Sequence, residues 1–231
     1  MTARRFPIGL TIATAIAFAI LCGLGGWQLK RMAWKADLLT RVAEAQASSP
    51  KPITQVPLTP AYRYRRVTLD CPGLASAPFV EVYALREGKA GVRLVSLCSP
   101  VGARTRIMVD RGFVADTVSA RPPVTVSTAV VHLTGVLREG EKPGVFTPPT
   151  SHNRFYARDL DQIALALGAR RHPGVMVMAE TSSNPEWGAL IPEPMPLDIP
   201  NRHLEYALTW FGLAGALAAV YAALVRRRMK A

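Results

Sequence analysis

Four histidines and three cysteines are the side chains of this sequence best able to hold a metal or carry redox chemistry. His132, His152 and His172 fall in a predicted strand or in loops and share no metal-ligand spacing. His203 differs. It follows Arg202 and stands two residues before Glu205, with Tyr206 and Trp210 at i+3 and i+7, roughly on one helical face. A histidine flanked by aromatics at a helix entrance suits an axial bond to haem iron; the same residue could instead cap the helix or meet lipid. A second stripe, Trp27, Arg31, Trp34 and Leu38, recurs at i, i+4, i+7 and i+11. Its arginine lies between two indoles, which permits a cation–π contact. The plainer reading is an interfacial aromatic anchor beside a solvated arginine.

Cys22, Cys71 and Cys98 form no C-x-x-C or C-x-x-x-C pattern, which weakens thiol-redox and copper-carrier readings. Cys71 and Cys98 each end a predicted strand, so they form either a disulfide or two buried free thiols. Catalytic signatures are missing: the chain has no G-x-S-x-G, H-E-x-x-H or Walker loop. Its acidic residues show no pattern of a paired acid and base. These observations point away from an enzyme.

What positions the two aromatic stripes is a pair of apolar runs. Phe6 to Leu29 carries no charge, and neither does Tyr206 to Val225. Each is close to the roughly 20 residues a helix needs to cross the hydrocarbon core. Two transmembrane helices are therefore expected, at 6–29 and 205–225. Arg4 and Arg5 precede the first, and Arg226, Arg227, Arg228 and Lys230 follow the second. Basic flanks stay in the cytoplasm, so 1–5 and 226–231 are expected there and 30–204 is expected to be exported. The first run is longer than a signal-peptide core, and its A-x-A matches lie inside it, so an uncleaved anchor is expected. Leu21 stands before Cys22 where a lipoprotein would need a small residue. With no room for an organelle transit segment ahead of the first span, a bacterial inner (plasma) membrane is the expected location. Small residues at intervals of four, Ala15, Ala19 and Gly23 against Gly212 and Ala216, Gly215 and Ala219 or Ala214 and Ala218, would let the spans pair closely.

Net charge is +12, but six of the 28 Lys and Arg sit in the flanks, leaving 22 against 16 acidic residues, about +6. Those cations are scattered without an aromatic-spaced stripe, so membrane lipid is the expected partner of the terminal clusters and nucleic acid is not.

Past the first span the helical stripe continues until Ser48, Ser49, Pro50 and Pro52 begin a linker. Period-two runs then occupy Arg66–Cys71, Phe79–Leu85, Val92–Cys98, the segment around Arg106–Val114, Val124–Leu137 and Val175–Glu180. They predict a β-rich α+β domain built as an antiparallel sandwich or small barrel. One helix interrupts it: Asp159 and Gln162 read as a capping box before Leu160, Ile163, Ala164 and Leu167, with Gly168 as the stop. Pro185, Pro192, Pro194, Pro196 and Pro200 make a stiff approach to the second span.

LGGWQLKRMAWK at Leu24–Lys35, joined to NRHLEYALTWFGLAGAL at Asn201–Leu217, resembles the surfeit locus protein 1 family of cytochrome c oxidase assembly factors. MVDRGFV at Met108–Val114, GVLREGEKPGVFTP at Gly135–Pro148 and FYARDL at Phe155–Leu160 fit it in the same order. It departs from the family's V-N-R-G-W at Asp110 and Phe113, and follows the family loosely over Pro72–Lys89. The resemblance implies two spans around an exported domain and a non-enzymatic factor. That factor assists haem a insertion, or stabilises the haem a site, in the catalytic subunit of a haem–copper terminal oxidase. It implies haem a as cofactor, with His203 as metal ligand and Tyr206, Trp210, Trp27 and Arg31 around it. Implied partners are the oxidase catalytic subunit, membrane lipid and haem a synthase. The alternative is a haem-free membrane chaperone that docks the apo subunit.

Overall fold

The computed structural model describes residues 7–118, 126–151, 153–192 and 201–230. Arg4, Arg5, Val124, His152, Pro194, Pro196 and Pro200 lie outside them, as does the side chain of Lys230. The chain divides into two compact units, Met1–Arg41 with Leu197–Ala231 and Val42–Pro196.

The first unit is two helices. α1 runs Ile8–Ala47 for 40 residues, about 60 Å at 1.5 Å per residue. α3, His203–Lys230, has 28. Each contains a stretch long and apolar enough to cross a membrane. They run antiparallel, because Thr11 Oγ1 meets the Tyr221 hydroxyl at 2.6 Å while His203 Nδ1 meets Gln28 Oε1 at 2.8 Å. The two contacts lie about five turns apart on both helices. Between them the less exposed positions advance by threes and fours, through Leu21, Gly25 and Gln28 on α1 and Ala207, Trp210, Ala214 and Leu217 on α3.

Of the expected small-residue positions this seam uses Ala214, which is buried, but not the others. A Cβ on Gly23, Gly212 or Gly215 would have nothing within 4 Å, and Ala15, Ala19, Ala216 and Ala219 are exposed. The two polar pairs lie on the seam, and apart from Ala214 and Ala218, the latter exposed, the expected small-residue stripes lie off it. Gly25 is the glycine that matters: its missing Cβ would lie 2.7 Å from the ring of Phe211.

The second unit is one mixed sheet of eight strands in the order β1-β2-β6-β8-β5-β4-β3-β7. The strands are β1 Lys51–Pro52, β2 Arg66–Pro72, β3 Phe79–Arg86, β4 Lys89–Cys98, β5 Ile107–Ala115, β6 Val130–Glu139, β7 Arg154–Phe155 and β8 Val175–Ala179. The expected strands are present, except that the run expected from Val124 is strand only from Val130, and the antiparallel sandwich or barrel is corrected. β1 and β2, β3 and β7, and β5 and β8 pair in parallel. Parallel neighbours need a crossover, and helix α2, Leu160–Ala166, lies on the route from β5 to β8. The expected linker is corrected too: Lys51 and Pro52 pair with β2 and Ile53 is buried.

β5 is buried on both faces, which is why it does not alternate. Ile107 and Val109 join the core of Val67, Leu69, Leu137 and Val177, while Met108 packs with Val80, Val82, Ile163 and Met176 under α2. Cys71 and Cys98 form a disulfide inside the first of these cores, joining the ends of β2 and β4. Asp159 caps α2 through its carboxylate, which accepts from Asp161 N at 3.1 Å and from the Gln162 side-chain amide at 3.4 Å. Gln162 thus bonds the cap carboxylate rather than closing the expected reciprocal box.

The D-R-G-F segment of β5 is a brace. Arg111 is fully buried, and burial brings its pKa down to about 10. It donates from Nε to Ser183 Oγ at 3.0 Å and from Nη2 to the Ala75 carbonyl at 2.9 Å. Gly112 has φ 130°, and a Cβ there would run into the backbone of Ile191. That close approach lets Phe113 and Ile191 exchange backbone hydrogen bonds of 2.8 and 2.9 Å.

Candidate functional site

Within the helical unit, His203 begins α3 on the seam, where it is half-buried. Its Nδ1 faces Gln28 Oε1 at 2.8 Å. An amide oxygen only accepts, so Nδ1 carries the proton, and in the neutral ring the lone pair is then on Nε2. A partner on one ring nitrogen fixes the tautomer and orientation of the ring, the usual setting of a histidine that binds metal through the other nitrogen. One turn along α1, the Met32 carbonyl accepts from Asn201 Nδ2 at 3.2 Å. Asn201 Oδ1 is buried and has no hydrogen-bond partner among the described residues. A buried acceptor without a donor is costly, and marks a place where a donor from outside would be bound well.

The other residues proposed from sequence are distributed around this pair. Trp210 sits on the seam two turns beyond His203 and is half-buried. Tyr206 lies off the seam and is 57% exposed. Arg31 lies over both indoles, 5.9 Å from the Trp27 ring and 4.8 Å from the Trp34 ring, so the cation–π arrangement is formed. Both indoles are more than half exposed, leaving a broad aromatic face beside Gln28. Gln28 and Asn201 were within the sequence motifs without an assigned role, since nothing in the linear pattern tells which side chains meet across two helices.

His132 and His172, the other histidines among the described residues, are engaged elsewhere. His132 Nδ1 meets Asp70 Oδ1 at 2.7 Å on the sheet surface. His172 Nδ1 accepts from Gly174 N at 3.1 Å, so its Nε2 donates to Asp161 at 2.8 Å. Lys142 also bonds Asp161, and these two bonds, that from Lys142 first, hold the Asp161 carboxyl below its ordinary range. No cluster of three or more His, Cys, Asp or Glu suited to a metal exists among the described residues.

Comparison with known proteins covers nearly the whole chain. The sequence model of the SURF1 family matches residues 15–215. A Gallus gallus protein named Surfeit locus protein 1 is 29% identical over 90% of this chain and 71% of its own length. One of the same name from Takifugu rubripes is 26% identical over 90% of this chain and 93% of its own. A SURF1-like protein of Drosophila melanogaster is 27% identical over 89% and 74%. The matched region includes most of α1, the first part of α3, the sheet and the His203–Gln28 pair.

Proposed function

From the premise that this chain belongs to the SURF1 family, we propose that it is a membrane assembly factor for a haem–copper terminal oxidase, acting on the haem a site of the catalytic subunit without catalysis of its own. In this reading both helices span a bacterial plasma membrane with their termini in the cytoplasm. The basic residues after α3 support that orientation. The sheet domain is exported, and its buried Cys71–Cys98 disulfide fits an oxidising compartment.

The observation that carries the haem part is the Gln28–His203 bond. It supports His203 as the residue that would hold the iron, because the ring is held through Nδ1 and, when neutral, would offer Nε2 to the metal. Trp27, Tyr206 and Trp210 would supply apolar and aromatic surface to the macrocycle, and Arg31 a cation for its propionates. The orphan Asn201 Oδ1 fits a site built to meet one more polar group. Bound haem would supply an iron centre for the imidazole lone pair; the chain's own part is to hold that ring and shield the macrocycle. Partners in this reading are the oxidase catalytic subunit, lipid and haem a synthase.

The test is a pyridine haemochrome spectrum of detergent-purified protein co-expressed with haem a synthesis. Haem a in the wild type and its loss in His203→Ala are expected. A haem-free wild type that still co-purifies with the apo oxidase subunit would replace this reading with that of a haem-free chaperone.

A further inference from the structure

The sheet domain holds a second site that the haem reading does not use. After the turn at Pro60–Tyr62, Tyr64 takes φ 75°, a left-handed conformation that a bulky side chain rarely adopts. Backbone bonds clamp it there: Tyr64 N donates to the Leu137 carbonyl at 2.7 Å, and Leu137 N donates to the Arg65 carbonyl at 2.9 Å. Strain of this kind persists only where surrounding structure imposes it, and it gathers at functional sites. Here it sets the Tyr64 ring between two guanidinium groups, with Arg63 and Arg138 each 5.7 Å from its centroid.

A cleft of about 210 Å³ opens at this point, lined by Arg63, Tyr64, Arg138, Glu139, Glu141 and Arg158. Three of those six side chains are arginines. Arg138 is half-buried, and its pKa is lowered, first by burial and next by the positive charge of Arg158. Arg158 Nε is buried with no hydrogen-bond partner among the described residues. The carboxylates at the cleft do not balance this. Glu139 stands 3.8 Å from Arg63 and Glu141 3.7 Å from Arg158, beyond good hydrogen-bonding range, with side chains 48% and 74% exposed. Exposed pairs of that length are weak and free to part. Arg93, nearby, already has Asp110.

We propose that this cleft binds an oxyanion, a phosphate or carboxylate group, held by Arg138 and Arg158 with Arg63 at the rim. A guanidinium presents donors in a planar fork that matches two oxygens of such a group. An anion between Arg138 and Arg158 would relieve their mutual repulsion and satisfy the orphan Nε. The Tyr64 ring, 5.7 Å from the Arg138 guanidinium, gives that side chain a neighbour at the cleft before any anion binds.

The experiment is isothermal titration of the full chain in uncharged detergent at low salt, with inorganic phosphate in one arm and sodium acetate in another. Sodium chloride at matched ionic strength is the control. Saturable binding of phosphate alone assigns a tetrahedral anion, and binding of both assigns the oxyanion generally. Arg138→Ala and Arg158→Ala should each weaken binding at least about tenfold. Arg138→Lys, which keeps the charge and loses the fork, should bind at an intermediate level, and Arg227→Ala should bind as the wild type does. Far-UV circular dichroism and an intact Cys71–Cys98 bond establish that each variant is folded. No saturable heat in either arm, a chloride response equal to both, or undiminished binding by folded Arg138→Ala and Arg158→Ala would overturn the proposal.

Discussion

Replacing Gln28 by leucine tests the helical site most directly. Leucine has similar volume and fits a membrane-spanning helix, but it offers Nδ1 of His203 no acceptor in place of the 2.8 Å bond. Losing one neutral hydrogen bond at a half-buried position costs the helix pair about 1 kcal/mol. The effect on a ligand is larger, because the ring is then free to rotate and to move its proton to Nε2. Loss of such an outer partner lowers metal affinity about 10- to 100-fold, which is about 1.4 to 2.7 kcal/mol. The half-burial of His203 places Gln28→Leu near the lower end of that range. Gln28→Glu keeps an acceptor and should stay near the wild type or bind more tightly. Two measurements check this. Haem titration followed in the Soret band gives affinity, and ¹⁵N spectra of the imidazole without haem give the tautomer. Wild-type affinity in Gln28→Leu, or an Nε2–H tautomer in the wild type, would refute the argument that Gln28 sets the ring.

Three further outcomes follow from the geometry. Replacing Cys71 and Cys98 by alanine opens a loop of sequence separation 27 and should lower the stability of the sheet domain by about 3.5 kcal/mol, measured by urea unfolding; a loss under about 1 kcal/mol would contradict the chain-entropy argument. Gly25→Leu should drive the side chain into Phe211, whose ring already fills the space of a Cβ, and cost the helix pair about 1 to 3 kcal/mol. Gly25→Ala should be close to neutral, since improved helix propensity offsets a small ring movement; cross-linking between cysteines placed on the two helices would report both. Asp161 titrates below its ordinary value because Lys142, and then His172, bond its carboxylate. A depressed carboxyl stabilises the fold above its unfolded pKa, and that contribution disappears as pH falls through the folded value. Asp161→Asn should therefore flatten the loss of thermal stability below about pH 4, and an unchanged acid limb would argue against the network.

The pattern of what the sequence made legible follows from the distance over which each feature is decided. β2 and β3 could be read because alternation is local and one side of each run is apolar, and β4 and β8 because each is a short, largely apolar run. The partners of those strands could not. Whether β8 lies beside β5 in parallel depends on where α2 packs, and the apolar run Val175–Ala179 reads the same in either case. β1 and β7 are two residues each, too short to carry a period. At the helical site, His203 stood out because aromatics follow it at helical spacing, a property of α3 alone. The part of Gln28 depends on the relative rotation of α1 and α3, which the Thr11–Tyr221 and Gln28–His203 pairs mark. The same dependence explains the misplaced seam. Ala15, Ala19 and Gly23 are a valid close-packing surface as sequence, but the face that meets α3 is the one carrying Thr11, Gly25 and Gln28. The arginine cleft is the limiting case. Residues 63, 138 and 158 come from three separate segments, and each is an unremarkable arginine in its own. Only the strained backbone of Tyr64 and the burial around Arg138 and Arg158 turn them into one charge. Chemistry that resides in a single helix face can thus be found by spacing, whereas chemistry assembled across elements needs the fold first.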